Sequence, residues 1–321
     1  MRYFAAFDGG QTSTICIIAD ETGHIHSLYK GAGLISIFHP EGRARCQEVV
    51  LTSLEAALTQ AGLCREDLSL GVLGMTGGVP LMEETVRSVL DFIPQICFVH
   101  DSITAHEGAL IGQPGIIVIA GTGSIAYGRG RGGKTATAGG WGPLMGDEGS
   151  AYWIGCGALS LATRAEDGRG ADTKVRELLL EQYNGESLWD FHRILYSQRE
   201  PRPLIASLAQ VVTKAAELGD GPAQELLAEA ARHLAASVVA VSRLLQEEDL
   251  LCSYTGGVFH AGRWVLDPFE EEIKKNRPKM QVVPPMLAGD GGAVILGLRT
   301  LGVEVDSALA EKVGQQLKAF G

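Results

Sequence analysis

Two glycine-rich turns and two acidic residues in this chain have the types and spacing that phosphate chemistry requires. Asp8-Gly9-Gly10-Gln11-Thr12 follows an apolar segment, and Gly121-Thr122-Gly123-Ser124 follows a run of four branched residues at 116–119. Because glycine has no Cβ, the backbone N–H groups of such turns can approach an anion closely, and the neighbouring hydroxyls add donors. Either turn alone also fits an ordinary hairpin. The pair predicts two hairpins that bind phosphate.

Asp8 and Asp101 each follow a predicted strand. A carboxylate beside a phosphate turn can hold Mg²⁺ through water, since this ion keeps several of its waters, and we assign that role to Asp8. A hydroxyl that attacks a γ-phosphate needs a proton acceptor, and Asp101 is the candidate general base. The alternatives are a turn-forming role for Asp8 and a helix N-cap for Asp101.

The segment at 139–150, GGWGPLMGDEGS, is hard to explain by packing alone. The indole of Trp141 suits the C–H face of a polyhydroxylated ring, while Asp147 and Glu148 suit its hydroxyls. Asp147 and Ser150 also lie at a predicted helix start, where acidic and hydroxyl side chains are common. Farther on, Thr255-Gly256-Gly257 leaves bare backbone on which an adenine or ribose can lie. No GxxxxGK[ST] motif is present, so the sequence excludes a P-loop NTPase.

The composition limits the class of protein. The 321 residues suffice for about two domains, and 45% hydrophobic with 20% charged residues is typical of a globular chain. A net charge of -11 disfavours nonspecific binding to nucleic acid or to an anionic membrane. No apolar run approaches the roughly 20 residues of a membrane span, and no signal peptide is predicted. Six scattered cysteines indicate reduced thiols and a cytoplasmic location.

The elements that position these residues form a repeated plan. Residues 1–110 read as three strands followed by helix, strand, helix, strand and helix, the order of a ribonuclease-H-like domain with a mixed sheet. The strand, glycine turn and strand recur about 110 residues later. We therefore predict an α/β fold of two lobes with a duplicated mixed-sheet core. The first lobe spans 1–113 plus a C-terminal helix at about 303–321, and the second spans 114–302. The predicted helices lie at 41–62, 79–92, 103–110, 150–163, 174–183, 204–218, 223–246, 289–301 and 305–320.

The motifs, taken together, resemble the BadF/BadG/BcrA/BcrD ATPase family, which is part of the actin, Hsp70 and sugar kinase superfamily. The resemblance covers nearly the whole chain, and within the family it is greatest to the N-acetylglucosamine kinases. GGWGPLMGDEGSAYW at 139–153 is its specific part, whereas the glycine turns and Gly289-Asp290-Gly291-Gly292-Ala293 are shared more widely. The resemblance implies an actin-like ATPase fold, ATP with Mg²⁺, a small amino sugar phosphorylated on its 6-hydroxyl, and a homodimer. No nucleic acid or membrane partner is implied.

The resemblance also implies roles for individual positions. Asp101 is the catalytic base, Thr12 and Thr122 contact the phosphates, and Gly256 and Gly257 border the adenosine. The whole set expected around ATP is Asp8, Gly9, Gly10, Gln11, Thr12, Thr122, Gly123, Gly256 and Gly257, with Asp8 holding the metal through water. The set expected around the sugar is Ser124, Ile125, Gly140, Trp141, Gly142 and Asp147.

Two departures from the family pattern bear on function. Ile37 falls where similar kinases carry an asparagine that contacts the sugar, and Ser36 or His39 are the possible substitutes. This leaves the identity of the sugar open, including another hexose derivative, because a lost hydrogen bond affects discrimination first. Closely spaced cysteines for an iron–sulfur cluster are absent, which argues against the subgroup that activates dehydratases. A switch in which ATP acts on a partner protein is the alternative from another class.

Overall fold

The computed structural model describes residues 1–77 and 80–320. These form two compact units, which are described separately. Unit 1 comprises Met1–Gly115 and Pro284–Gly321, and unit 2 comprises Ile116–Val283. Within the described ranges, no helix combines the length and the apolar character needed to cross a membrane.

Unit 1 is built on a five-stranded mixed sheet. Its strands are β1 (Tyr3–Gly9), β2 (Ser13–Asp20), β3 (Ile25–Ala32), β4 (Leu68–Met75) and β5 (Gln95–His100). They lie in the order β3-β2-β1-β4-β5, in which β1 pairs antiparallel with β2 and parallel with β4. Successive side chains of a strand point to opposite faces of the sheet, so Ala5 and Phe7 enter one core while Phe4 and Ala6 enter another. Asp8 lies at the carboxyl end of β1, the central strand of this sheet.

Helices cover both faces of this sheet. Helix α1 (Gly42–Ala61) packs Val50 and Leu54 into the core that holds Phe7, and it ends at Gly62, whose φ of 67° suits a glycine. Helix α2 (Pro80–Arg87) ends earlier than the predicted residue 92, because Leu90 and Ile93 turn back into the same core ahead of Pro94. The predicted start of that helix at residue 79 lies outside the described residues. Helix α3 (Asp101–Leu110) follows β5 directly.

Unit 2 repeats the same sheet order. Its strands are β6 (Gly115–Ala120), β7 (Ser124–Arg129), β8 (Thr135–Gly139), β9 (Leu251–Thr255) and β10 (Gln281–Val282). The order β10-β9-β6-β7-β8, read from the other end, is that of unit 1, with the first strand at the centre and a three-strand meander on one side. The predicted duplicated α/β core is therefore confirmed.

The helices of unit 2 differ in part from the prediction. They are α4 (Ala151–Glu166), α5 (Lys174–Gln182), α6 (Leu188–Ser197), α7 (Arg202–Ser207), α8 (Ala209–Glu217), α9 (Gly221–Leu245) and α10 (Arg263–Asn276). Helices α6 and α10 were not predicted. The single helix predicted at 204–218 is two, because the buried Leu208 donates its N–H to Ile205, three residues back, which tightens the chain and ends α7.

Two further helices follow unit 2 in the chain, and they correct the predicted lobe boundary. Helices α11 (Gly289–Thr300) and α12 (Ser307–Phe320) belong to unit 1, whereas residues 284–302 were assigned to the second lobe. The reason is the core: Val294 and Leu298 of α11 pack with Phe4 and Ile17 of the first sheet, together with Val313 of α12. The predicted C-terminal residue 321 lies outside the described residues.

Candidate functional site

Asp8 lies at the end of β1 and faces the start of α11. A Cβ added to Gly289 would come within 2.9 Å of Asp8 Oδ2, so the glycine permits the helix to begin against the carboxylate. Burial, together with the charges of Asp290 and Asp101, raises the pKa of Asp8 to about 7. A site with this much uncompensated negative charge favours a cation.

Asp101 is the first residue of α3, and it is not the helix cap. His100 is the N-cap, because its Nδ1 accepts the N–H of Ser102 at 3.2 Å. That same Nδ1 lies 2.8 Å from Asp101 Oδ1 and 2.8 Å from Ser102 Oγ, and in the tautomer that accepts from Ser102 it has no proton to give to the carboxylate. Asp101 Oδ1 is buried and has no hydrogen-bond donor among the described residues. It therefore keeps the acceptor capacity that a general base needs.

The β1–β2 turn carries the other residues expected near phosphate in unit 1. Gly10 donates its N–H to Ser13 O at 2.9 Å, which closes the turn and leaves Gln11 and Thr12 exposed at its tip. A Cβ on Gly9 would lie 2.4 Å from Met75 Sδ, so this position requires glycine for packing against β4. Unit 1 thus brings together the predicted Asp8 and Asp101, and it adds Asp290, to which the prediction gave no role.

The donor set in unit 1 fits Mg²⁺ held through water. Among the described residues no three histidine, cysteine or acidic side chains lie close enough to hold a metal directly. The carboxylate of Asp8, destabilised by burial and by two acidic neighbours, is suited to accept hydrogen bonds from the water shell that Mg²⁺ retains. Asp8 is the residue in unit 1 that would hold the hydrated ion.

In unit 2, two glycine segments flank β6. The turn between β6 and β7 is closed by the Gly121 N–H, which donates to Gly123 O at 3.0 Å, and Thr122 occupies its centre. Gly256 follows β9 with a φ of 106°, and a Cβ there would meet Ala120 O at 2.4 Å. Around Gly257 no atom lies within 4 Å of the Cβ position. Bare backbone therefore lies open beside the strand that ends at the predicted phosphate turn.

The residues predicted to bind sugar gather at the start of β7. Ser124 donates its N–H to Asp147 Oδ1 at 3.2 Å and accepts the Gly140 N–H at 2.9 Å. A Cβ on Gly140 would lie 2.8 Å from Ile125 Cδ1, so glycine is needed there as well. Asp147 has a φ of 64° and a side chain that is 3% exposed. Its carboxylate therefore points into the loop and organises the segment it belongs to.

Arg202, to which the sequence analysis gave no role, forms an ion pair with Asp147. Its Nη2 lies 2.6 Å from Asp147 Oδ2, and both side chains are largely buried. Burial raises the pKa of Asp147. The hydrogen bond from the Ser124 N–H and the charge of Arg202 act to lower this pKa, but the effect of burial is larger. No spacing rule connects residues 147 and 202, so nothing in the sequence pattern indicated this pair.

Trp141 and Ile37 have opposite environments. Trp141 is 71% exposed, and it shares its loop with the exposed Leu144 and Met145. Gly142, next to Trp141, has a φ of 78° and open space at its Cβ position. Ile37 is 5% exposed and packs in the core of unit 1 with Leu34 and Cys46. It is thus a core residue, and a polar contact at that place must come from a neighbour.

Ser36 and His39, the possible substitutes near Ile37, each accept a hydrogen bond from a backbone N–H two residues farther along the chain. Ser36 Oγ accepts the N–H of Phe38 at 3.4 Å, and His39 Nδ1 accepts the N–H of Glu41 at 3.2 Å. The Ser36 hydroxyl is exposed and retains its own proton for donation.

With this geometry in place, comparison with known proteins assigns the family. The family model of the BadF/BadG/BcrA/BcrD ATPase family matches residues 7–297. The chain belongs to this family. It is 32% identical over 305 residues to an N-acetylmuramic acid/N-acetylglucosamine kinase of Clostridium acetobutylicum, covering 92% of this chain and 98% of that one. It is 28% identical to an N-acetyl-D-glucosamine kinase of Dictyostelium discoideum, with the same coverage.

A solved structure agrees with this family assignment. The crystal structure of a candidate N-acetylglucosamine kinase from Chromobacterium violaceum matches with a TM-score of 0.75 and 30% identity. It covers 92% of this chain and 99% of that protein. The actin-like fold expected from the sequence is confirmed by this match together with the two sheets of identical order.

Proposed function

We propose that this member of the BadF/BadG/BcrA/BcrD family is an ATP-dependent kinase that phosphorylates N-acetylglucosamine or a close amino sugar on its 6-hydroxyl. The buried Oδ1 of Asp101, which has no donor within the described part of the chain, is the observation that carries the proposal, since phosphoryl transfer to an alcohol needs one well-placed proton acceptor. The named activities of the similar proteins from Clostridium acetobutylicum and Dictyostelium discoideum supply the class of sugar.

Asp101 accepts the proton of the attacking hydroxyl and aligns it. Thr12 and Thr122 donate hydrogen bonds to phosphate oxygens, and the bare backbone at Gly256 and Gly257 borders the adenosine. Mg²⁺, when bound, neutralises charge on the phosphates during transfer. Asp8 orients the water shell of that ion.

The sugar is held by the loop residues of unit 2. Ser124, Ile125, Gly140, Trp141 and Gly142 line it, and the Asp147 carboxylate accepts hydrogen bonds from sugar hydroxyls. Among the described residues, one donor binds each oxygen of this carboxylate, the Ser124 N–H or Arg202 Nη2, which leaves acceptor capacity for a hydroxyl. The enzyme acts in the cytoplasm as a homodimer, in accordance with the reduced state of its six free cysteines and with the family resemblance.

A kinase assay that couples ADP release to a spectroscopic signal tests this proposal on a panel of N-acetylated, free amino and neutral hexoses, with N-acetylmuramic acid included. We expect the highest kcat/KM for N-acetylglucosamine and a sugar 6-phosphate as the product, identified by phosphorus NMR. If ATP turnover does not rise with any sugar, the kinase proposal fails, and turnover that rises with a partner protein instead would support the ATP-driven switch.

A further inference from the structure

Asp147 is held in a conformation that its backbone does not favour. Its φ of 64° lies in the left-handed region, which few residues other than glycine adopt, although aspartate tolerates it better than most. The loop reverses at this point, and the carboxylate turns inward beneath the turn at Gly123. A Cβ on Gly123 would lie 2.9 Å from Asp147 Oδ1, so glycine is required for the approach. Such a conformation persists only where the surroundings impose it.

The surroundings that impose it are two donors from separate elements. The Ser124 N–H at the start of β7 binds one oxygen, and Arg202 Nη2 at the start of α7 binds the other. A backbone N–H fixes the position of one oxygen only. The second, charged contact fixes the rotation of the carboxylate plane and favours its ionised form against the effect of burial.

Among the described residues, Arg202 has no apparent structural role other than its ion pair with Asp147. Its Nε is buried and has no hydrogen-bond partner among the described residues, and its guanidinium carbon lies 5.8 Å from the centroid of the Tyr152 ring. An arginine that served chiefly as a structural bridge would use more of its five N–H donors. Here one ion pair, with Asp147, is the main polar contact of the side chain.

The fold places Arg202 by close helix packing. A Cβ on Gly155 of α4 would fall 1.9 Å from Ile205 O of α7, so the two backbones touch at this point. The contact lies one helical turn from Arg202, and α7 is too short to move its first residue independently. The backbone of α7 near Arg202 is therefore held against α4, the helix that follows the loop at 139–150.

We propose that Arg202 is a positioning residue for sugar binding, which holds the Asp147 carboxylate ionised and oriented toward the sugar hydroxyls. This inference rests on the proposed kinase function. It extends that function by a residue that contacts no substrate and belongs to no motif. Without Arg202, the carboxylate would rotate and would take up a proton more readily, since burial and the neighbouring Glu148 already oppose its charge.

The test compares Arg202→Met, which removes the charge, with Arg202→Lys, which retains it. Arg232→Met is the matched control, because Arg232 also forms an ion pair within unit 2, with the exposed Glu225. We expect Arg202→Met to raise the KM for N-acetylglucosamine by about tenfold or more, with the KM for ATP changed less than about twofold. Arg202→Lys should recover much of the loss, and the control should behave as the wild type.

The pH dependence separates a positioning role from a merely structural one. The charged or titratable groups facing Asp147 and Arg202 are Glu148 and, against the guanidinium, Tyr152. In Arg202→Met the increase in sugar KM should be larger at acidic pH and should shrink as the pH rises, because loss of the guanidinium raises the pKa of Asp147 still further above its ordinary value. An unchanged sugar KM overturns the inference, as does an equal, pH-independent rise in the KM for both substrates.

Failure of the proposed function gives a different result. If the wild type phosphorylates no sugar, the kinase proposal falls, and the inference falls with it. If the wild type is active and Arg202→Met loses only thermal stability, the kinase proposal stands and Arg202 is a structural residue.

Discussion

Asp101 differs from the other described carboxylates of unit 1 because one of its oxygens is buried and has no hydrogen-bond donor among the described residues. Replacement by asparagine retains the size of the side chain and removes the basic oxygen. We predict that Asp101→Asn lowers kcat by roughly 10²- to 10⁴-fold while the melting temperature stays near that of the wild type. The measurement is steady-state kinetics beside a thermal denaturation scan. Near-normal sugar phosphorylation would exclude Asp101 as the base, and the exposed Asp91→Asn serves as control.

Asp147 has a proposed contact with the sugar and an ion pair with Arg202, and its replacement removes both. We predict that Asp147→Ala weakens sugar binding more than ATP binding, because its carboxylate lies among the residues proposed to bind the sugar. The variant also leaves the guanidinium of Arg202 without its partner, and breaking a buried pair in this way destabilises a protein by about 3 kcal/mol. Calorimetry with each ligand, together with chemical denaturation, measures both effects. Weaker ATP binding with unchanged sugar binding would move Asp147 to the nucleotide side.

At the scale of elements, the crossing of α3 and α11 sets the spacing of two acidic residues. A Cβ on Gly292 would lie 1.8 Å from Thr104 O and 2.6 Å from Gly108 N, which are backbone atoms that cannot give way. We predict that Gly292→Ala destabilises the protein by about 2 kcal/mol or more. It should also lower kcat, because Asp101 begins α3 and Asp290 begins α11.

The control for this prediction is Gly221→Ala at the start of α9, where no atom lies within 4 Å of the Cβ position. Its unfolding free energy should differ from the wild type by less than about 0.5 kcal/mol. Equal effects of the two substitutions, measured by urea denaturation, would show that the crossing is not tightly packed.

Asp20 organises the turn from β2 to β3. It is buried and accepts hydrogen bonds from Thr22 N and Oγ1 at 2.8 and 2.6 Å and lies 2.8 Å from His26 Nε2. Although burial raises the pKa of Asp20, the hydrogen bonds from Thr22, His26 and His24 lower it below its ordinary value of 3.8 overall. The folded protein thus binds this proton less tightly than the unfolded chain.

The stabilisation by Asp20 is therefore complete when the pH is above the pKa of this residue in the unfolded chain. It is lost as the pH falls through the lower pKa of the folded state. We predict that Asp20→Asn is less stable than the wild type near about pH 7, and that the difference narrows below about pH 4. Thermal denaturation across this pH range measures the difference in stability between the variant and the wild type. Glu304→Gln, which removes a charge at an exposed position, is the control. A difference that is constant with pH would contradict the assigned ionisation.

The elements that the sequence predicted well are those whose signal is local. The apolar run of β1, which is buried on both faces, and the glycine turns at residues 10 and 121–123 follow from short-range rules, and α1 ends at Gly62 for the same reason. The unit to which α11 belongs could not be predicted, because it depends on Val294 packing under a strand that lies almost the whole chain away. Arg202 was missed for a similar reason. Its pairing with Asp147 depends on the packing of α7 against Gly155, and no periodicity records that contact.

At the scale of the whole molecule, the negative charge of the chain opposes the binding of a nucleoside triphosphate. The chain carries a net charge of -11, and its segments predicted to contact phosphate, at 8–12, 121–124 and 255–257, contain no lysine or arginine. In unit 1, moreover, Asp8 lies near the charges of Asp101 and Asp290. Backbone N–H groups can cradle phosphate oxygens, but they do not neutralise the charge of a nucleoside triphosphate beside acidic side chains.

We therefore propose that a divalent cation supplies the missing positive charge. We predict that EDTA abolishes sugar phosphorylation and that Mg²⁺ restores it fully. Asp8→Asn should raise the Mg²⁺ concentration for half-maximal activity by about tenfold or more, because a partner of the ion's water shell loses its charge. Asp91→Asn, which changes the net charge equally at an exposed site, should leave that concentration unchanged. Full activity in EDTA would contradict this prediction, because it would mean that the backbone N–H groups of the turns stabilise the phosphate charge without a metal ion.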